Sequence, residues 1–173
     1  LGIILLGTSM DDESPRSREL GCWDGIEFCT PAIDSLSEPV SEDWVVPGDF
    51  VDAVLGAGLG EDVSQEDRSF WRSVYQQNYV WDDGRHRLRV CAINLRDRDG
   101  LHGRLDTVRC PVLWLQGTAD QVYSVANAEE EIALFTGSSS TELRIIDGGQ
   151  HFMSASHPDI VNAAAVEFLQ RWI

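Results

Sequence analysis

The sequence predicts an α/β fold: a parallel sheet portion with a helical segment inserted between its first and second strands. Three observations carry this. Residues 2–6 (Gly-Ile-Ile-Leu-Leu) and 112–116 (Val-Leu-Trp-Leu-Gln) are almost continuously apolar, as parallel strands covered on both faces require. A third run, 143–146, has helical patterns before and after it, so strand, helix, strand, helix recurs at the end of the chain, the order of right-handed crossover units. Between the first two runs, apolar residues recur at helical spacing and nothing reads as sheet.

The elements follow in order. The apolar run that opens the chain begins at Leu1 rather than Met. A start inside a buried strand leads to the expectation that the chain is truncated, processed or partly represented. A polar loop rich in Asp, Ser, Glu and Pro comes next. Helices are then expected over 49–55, with Phe50, Val51, Val54 and Leu55 on one side, and over 64–79. The second opens with Ser64 and Asp67 at capping-box spacing and sets Phe70, Trp71, Val74 and Tyr75 on one face. A third, over 85–95, turns Leu88, Cys91, Ala92 and Leu95 inward and leaves Arg85, Arg89 and Arg96 largely outside. After the strand at 112–116, a helix within 122–135 stops before Gly137. The strand at 143–146, Leu-Arg-Ile-Ile, is mixed enough for a sheet edge. Pro158 is a favoured first helical residue, and Val161, Ala164, Ala165, Phe168 and Trp172 give that last helix one buried face. The expected division is therefore a core of residues 1–10 and 106–173, with a helical cap or lid over 11–105.

Composition narrows the function. The 173 residues suffice for one domain with a sizeable core. Asp and Glu number 29 against 13 basic residues, a formal net charge of -16, which makes nucleic acid and anionic membrane surfaces poor partners. All the basic residues are Arg, so no Walker A lysine, PLP Schiff base or kinase-type lysine exists in this chain. Cys22, Cys29, Cys91 and Cys110 form no C-x-x-C, and no H-E-x-x-H occurs, so no metal site is expected. Cys91 and Cys110 read as small buried hydrophobes, and Cys22 and Cys29 as thiols that could pair but suit a reducing, cytoplasmic setting unpaired. No run of about 18 apolar residues is present to span a bilayer.

The chemistry concentrates at the ends of the last two strands. Pro111-Val-Leu-Trp-Leu-Gln-Gly-Thr-Ala-Asp120 is a strand that stops at Gly117, with an acid three residues later. Ile145-Ile-Asp-Gly-Gly-Gln-His151 is a strand, a Gly-Gly turn and a histidine. Ligands of open α/β sheets bind outside the carboxyl ends of the strands, so both residues belong to the same edge of the sheet. A carboxylate beside an imidazole holds its tautomer and stabilises the imidazolium. The plainer alternatives are a turn or capping role for Asp120 and a structural role for His151 in a glycine turn. Asp147 reads as support for that turn, His157 as a helix cap, and His86 and His102 as exposed residues of the lid.

These stretches resemble the end of an α/β-hydrolase. C-P-V-L-W-L-Q-G-T-A-D, G-G-Q-H-F and the closing amphipathic helix carry the likeness over 109–173. G-I-I-L-L-G-T-S resembles the strand that follows the nucleophile-bearing helix, and the middle is similar to a helical cap. In that family the chain order is nucleophile, acid, histidine, so the resemblance implies Asp120 as the acid and His151 as the general base. It also implies a serine-type hydrolase of small apolar carboxylic esters or lactones that uses no cofactor. Relatives include dehalogenases, epoxide hydrolases and cofactor-free lyases.

The departure is that no G-x-S-x-G elbow and no oxyanion loop occur, so the nucleophile is expected upstream, in a missing N-terminal half of the fold that would be the chain's partner. Gly7-Thr8-Ser9-Met10-Asp11 follows a strand, but Asp11 stands where an elbow needs Gly, and Asp12, Glu13 and Pro15 resist an immediate helix. Some relatives place the acid after this strand, which makes Asp11 the alternative acid. The rival class is a non-catalytic fragment or interaction module that keeps the sheet without the chemistry.

Overall fold

The computed structural model describes residues 1–12 and 14–172; Glu13 and Ile173, inside the expected lid and core ranges respectively, lie outside it. Three parallel strands, β1 (Ile3–Leu6), β2 (Val112–Gly117) and β3 (Thr141–Ile146), form a sheet in the order β1-β2-β3. Ile3 is opposite Val112, and Val112 is opposite Thr141. The helices are α1 (Pro15–Glu19), α2 (Gly25–Ser35), α3 (Gly48–Leu59), α4 (Gln65–Asn78), α5 (Trp81–Arg96), α6 (Val125–Ile132), α7 (Met153–Ser156) and α8 (Pro158–Trp172). A 3-10 turn spans His102–Thr107.

The continuous apolar character of β2 has a direct cause, since every residue of it is buried. Alternate side chains point to opposite faces of a strand. Leu113 and Leu115 join Met153, Val161, Ala164 and Phe168 on the α8 side. Val112 and Trp114 join Leu105, Ala128 and Phe135 on the α6 side. β3 pairs with β2 alone among the described residues, and its exposure is mixed, as an edge strand's is.

The chain divides into two compact units. Leu1–Trp23, Ala57–Gly60 and Asp99–Ile173 form the unit that holds the sheet. Asp24–Gly56 and Glu61–Arg98 form a helical unit in which α2 packs on α5. In α4 the expected cap at Ser64 is present: its hydroxyl accepts from Asp67 N–H at 3.0 Å, and it donates to the Asp67 carboxylate at 2.7 Å, where a full capping box would have that carboxylate take the Ser64 backbone N–H.

Several expectations are corrected here. The polar stretch after Ser9 contains two helices. Pro15 starts α1, with Ser14 as its cap, rather than opposing a helix. Asp24 caps α2 by accepting from Glu27 N–H at 2.9 Å, and Pro31 lies inside that helix. Arg85 is buried, not outside; it donates to Asp82 at 2.6 Å and to the Leu36 carbonyl, one of the C-terminal acceptors that α2 leaves open. Cys91 is exposed and Cys110 half-buried, while Cys22 and Cys29 are buried and form no disulfide. Among the described residues, no helix is long and apolar enough to cross a membrane.

Candidate active site

Asp120 and His151 come together at the carboxyl ends of neighbouring parallel strands. The turn after β2 folds the Asp120 side chain back on its own backbone, where Oδ1 accepts from the N–H groups of Val122 at 2.8 Å and Tyr123 at 3.0 Å. This is the turn role that its residue type favours. The cap of α6 is Ser124, which accepts from Asn127 N–H, so Asp120 is not the cap. Oδ2 lies 3.2 Å from His151 Nδ1. The Asp120 side chain is 0% exposed and that of His151 23% exposed. An ionised carboxylate can only accept, so Nδ1 carries the shared hydrogen and Nε2 is left as the basic nitrogen.

The two loops are bound to each other by backbone contacts that only small residues permit. Ala119 N–H donates to the Gly149 carbonyl at 3.0 Å and Thr118 N–H to the Ile146 carbonyl at 3.0 Å. A Cβ on Gly117 would stand 2.0 Å from the Gly149 oxygen. Gly148 has φ +70, the left-handed conformation that turns the chain sharply back toward the sheet. The Thr118 hydroxyl accepts from Gly148 N–H at 2.8 Å and donates to Asp147 at 3.3 Å, so Asp147 does support this turn. The Tyr123 ring meets the imidazole edge-on at 5.6 Å between centroids, and Phe152 lies 5.5 Å away on a tilted plane.

The alternatives take other places. Ser9 is buried, and its hydroxyl donates to Glu131 at 2.8 Å and accepts from Asp11 N–H at 3.1 Å. Asp11 accepts from the Ser14 hydroxyl at 2.6 Å and from Asp12 N–H, with His102 Nδ1 3.7 Å away, so its histidine neighbour is His102 and not His151. His102 is not simply exposed: its Nε2 stands 2.8 Å from the buried carboxylate of Glu131. His86 is exposed, and the His157 ring bonds Ser156. Among the described residues, no cluster of His, Cys, Asp or Glu is arranged to hold a metal ion.

Two buried polar residues escaped the sequence reading. Gln116 is fully buried and donates from Nε2 to Asp120 Oδ2 at 3.0 Å. Its signal was an amide at the end of an otherwise apolar run. Glu131 is 1% exposed and gathers Ser9, Met10 N–H and His102. It falls three residues after Ala128 and four before Phe135, on the apolar stripe, where a carboxylate implies a partner.

Comparison with solved structures extends over nearly the whole chain. An esterase from Thermogutta terrifontis matches 98% of it with a TM-score of 0.72 at 18% identity. An esterase from Exiguobacterium antarcticum matches 98% with a TM-score of 0.71 at 15% identity. An enol-lactonase from Burkholderia xenovorans LB400 matches 98% with a TM-score of 0.66 at 19% identity. The chain spans little more than half of each of them: 56%, 57% and 56% of their lengths. No protein-family model matches, and no curated protein sequence does. A sheet in this order, helices on both faces and this breadth of structural likeness lead to one conclusion: the chain has the fold of the C-terminal portion of an α/β-hydrolase.

Proposed function

We propose that this chain supplies the acid and the general base of a serine-type hydrolase acting on a small apolar carboxylic ester or lactone. The observation that carries the proposal is the buried Asp120 carboxylate at 3.2 Å from His151 Nδ1, at the edge of the sheet where α/β folds bind ligands. His151 Nε2 would take the proton of a serine hydroxyl as its oxygen attacks the ester carbonyl. It would return that proton to the departing alkoxide, leaving an acyl-enzyme. Water would then attack the acyl carbon by the same relay, releasing the acid and restoring the serine. Asp120 would hold the imidazole and stabilise its charged form in both halves. No cofactor enters these steps.

The nucleophile and the oxyanion donors would come from a segment outside these 173 residues, the N-terminal half of the fold. The names of the similar structures, two esterases and an enol-lactonase, support the ester and lactone class.

The test is complementation. The chain alone should not hydrolyse p-nitrophenyl butyrate above a histidine background, since loss of an oxyanion donor alone typically lowers rate about 100- to 1,000-fold. Combined with an N-terminal α/β-hydrolase segment carrying strand, G-x-S-x-G and helix, it should turn over. His151→Ala should then abolish that activity. Complemented turnover that His151→Ala leaves intact, or turnover by the chain alone that disappears in Ser9→Ala, would overturn the assignment.

A further inference from the structure

We propose that Gln116 is a positioning residue for the Asp120–His151 pair, orienting the carboxylate from beneath and holding Tyr123 beside the imidazole. The inference rests on the reading of Asp120 and His151 as an acid–base pair. Gln116 lies on β2 in the same row as Val112 and Trp114, a face otherwise filled by apolar side chains. A primary amide buried there is unfavourable unless all its hydrogen-bonding groups are matched. They are matched in one sense only. Oε1 accepts from the Trp114 indole N–H at 3.3 Å, and an indole can only donate. Nε2 donates to the Tyr123 carbonyl at 2.7 Å, which can only accept, and to Asp120 Oδ2 at 3.0 Å. Turning the amide over would set donor against donor and acceptor against acceptor, so the network itself dictates which end of Gln116 faces Asp120.

The result is a saturated carboxylate. Oδ1 receives two backbone N–H groups, and Oδ2 receives Gln116 on one side and His151 on the other. Four donors on two oxygens fill the acceptor capacity of the group and fix its plane. The same Nε2 tethers the carbonyl of the residue whose ring packs against His151. Removing Gln116 would free Oδ2 to swing. It would also leave more negative charge on that oxygen for the imidazole, which favours the charged form of His151.

Proton NMR of the four histidines tests this in the chain as it exists. In Gln116→Met, the His151 titration midpoint is expected to move up by roughly half a pH unit, with His86, His102 and His157 unmoved. In the unsubstituted chain, the Gln116 side-chain amide protons are expected to be protected from exchange and to titrate with the His151 midpoint. That second measurement decides the matter if the variant does not fold. A lowered melting temperature with an unmoved His151 midpoint, or Gln116 amide signals that exchange freely and stay flat through the titration, would reduce Gln116 to a packing residue and overturn the proposal. Asp120→Asn separates the two readings. If it lowers the His151 midpoint while Gln116→Met changes nothing, only the Gln116 proposal fails. If it leaves the midpoint unchanged, the acid–base pair itself fails.

Discussion

Replacing Glu131 with Ala tests whether the buried carboxylate on α6 fastens the loop after β1 to the sheet-bearing unit. The side chain accepts from the Ser9 hydroxyl, Met10 N–H and His102 Nε2, each at 2.8 Å, and is 1% exposed. In Glu131→Ala, Ser9 and Met10 lose their acceptor inside the protein, while His102, partly exposed, can turn to water. One buried and one partly buried donor left without this acceptor, at about 1–3 kcal/mol each, with a cavity added, suggest a loss of about 3–5 kcal/mol. Against a total stability of about 5–15 kcal/mol the loss is large, and it should lower the melting temperature by roughly 10 °C. Glu131→Gln is the informative control. Its amide oxygen can still accept from Met10, while the Ser9 hydroxyl and the His102 tautomer can both turn to receive the new N–H groups. Its expected loss is under about 1.5 kcal/mol. Urea unfolding followed by circular dichroism measures both. Glu131→Ala within about 1 kcal/mol of the unsubstituted chain would refute the argument that this carboxylate holds the loop.

Other outcomes follow from the same structure. β1 is an edge strand whose Ile3 and Gly7 N–H groups point to β2, so by parity those of Ile4 and Leu6 point away from it. In the dilute, monomeric chain, hydrogen exchange should find Ile4 and Leu6 fast and Ile3 and Leu5 slow, and sedimentation at rising concentration should find self-association, with Ile4 and Leu6 then slowed; a monomer with Ile4 and Leu6 strongly protected refutes this. For Asp11, partial burial raises the carboxyl, but the Ser14 hydroxyl, the charge of His102 and Asp12 N–H outweigh it and hold it below the ordinary aspartate range. A depressed folded value stabilises the fold above the unfolded one and is lost as pH falls through the folded one, so Asp11→Asn should flatten the stability curve below about pH 4. An unchanged acid limb would show that Asp11 is not coupled to folding. Burial pushes the Cys22 thiol up, and Cys29 is buried, whereas Cys91 is exposed, so iodoacetamide should modify Cys91 well before Cys22 and Cys29. Equal rates in the folded chain would contradict the burial described for these thiols.

The sequence by itself determined the sheet. Runs apolar on both faces have few stable settings besides a parallel strand between helices, so 2–6 and 112–116 were legible from local pattern. The start of α8 at Pro158 and the cap of α4 at Ser64 were legible for the same reason, since the signals lie within a few residues of what they control. Tertiary structure decided what depends on a partner far along the chain. Arg85 is inside because the Leu36 carbonyl waits 49 residues away, and Cys91 is outside although it shares a helical stripe with Leu88. His102 faces Glu131 across 29 residues, and Ser9 faces it across 122. Asp120 and His151 stand between these cases. Their placement at strand ends could be read locally, but the 3.2 Å between them exists because Gly117 and Gly149 let two backbones approach more closely than any side chain would allow. Apolar periodicity acts over one turn or one strand, whereas a buried polar group is tolerated only where the fold brings it a partner, and one local window of sequence cannot specify that meeting.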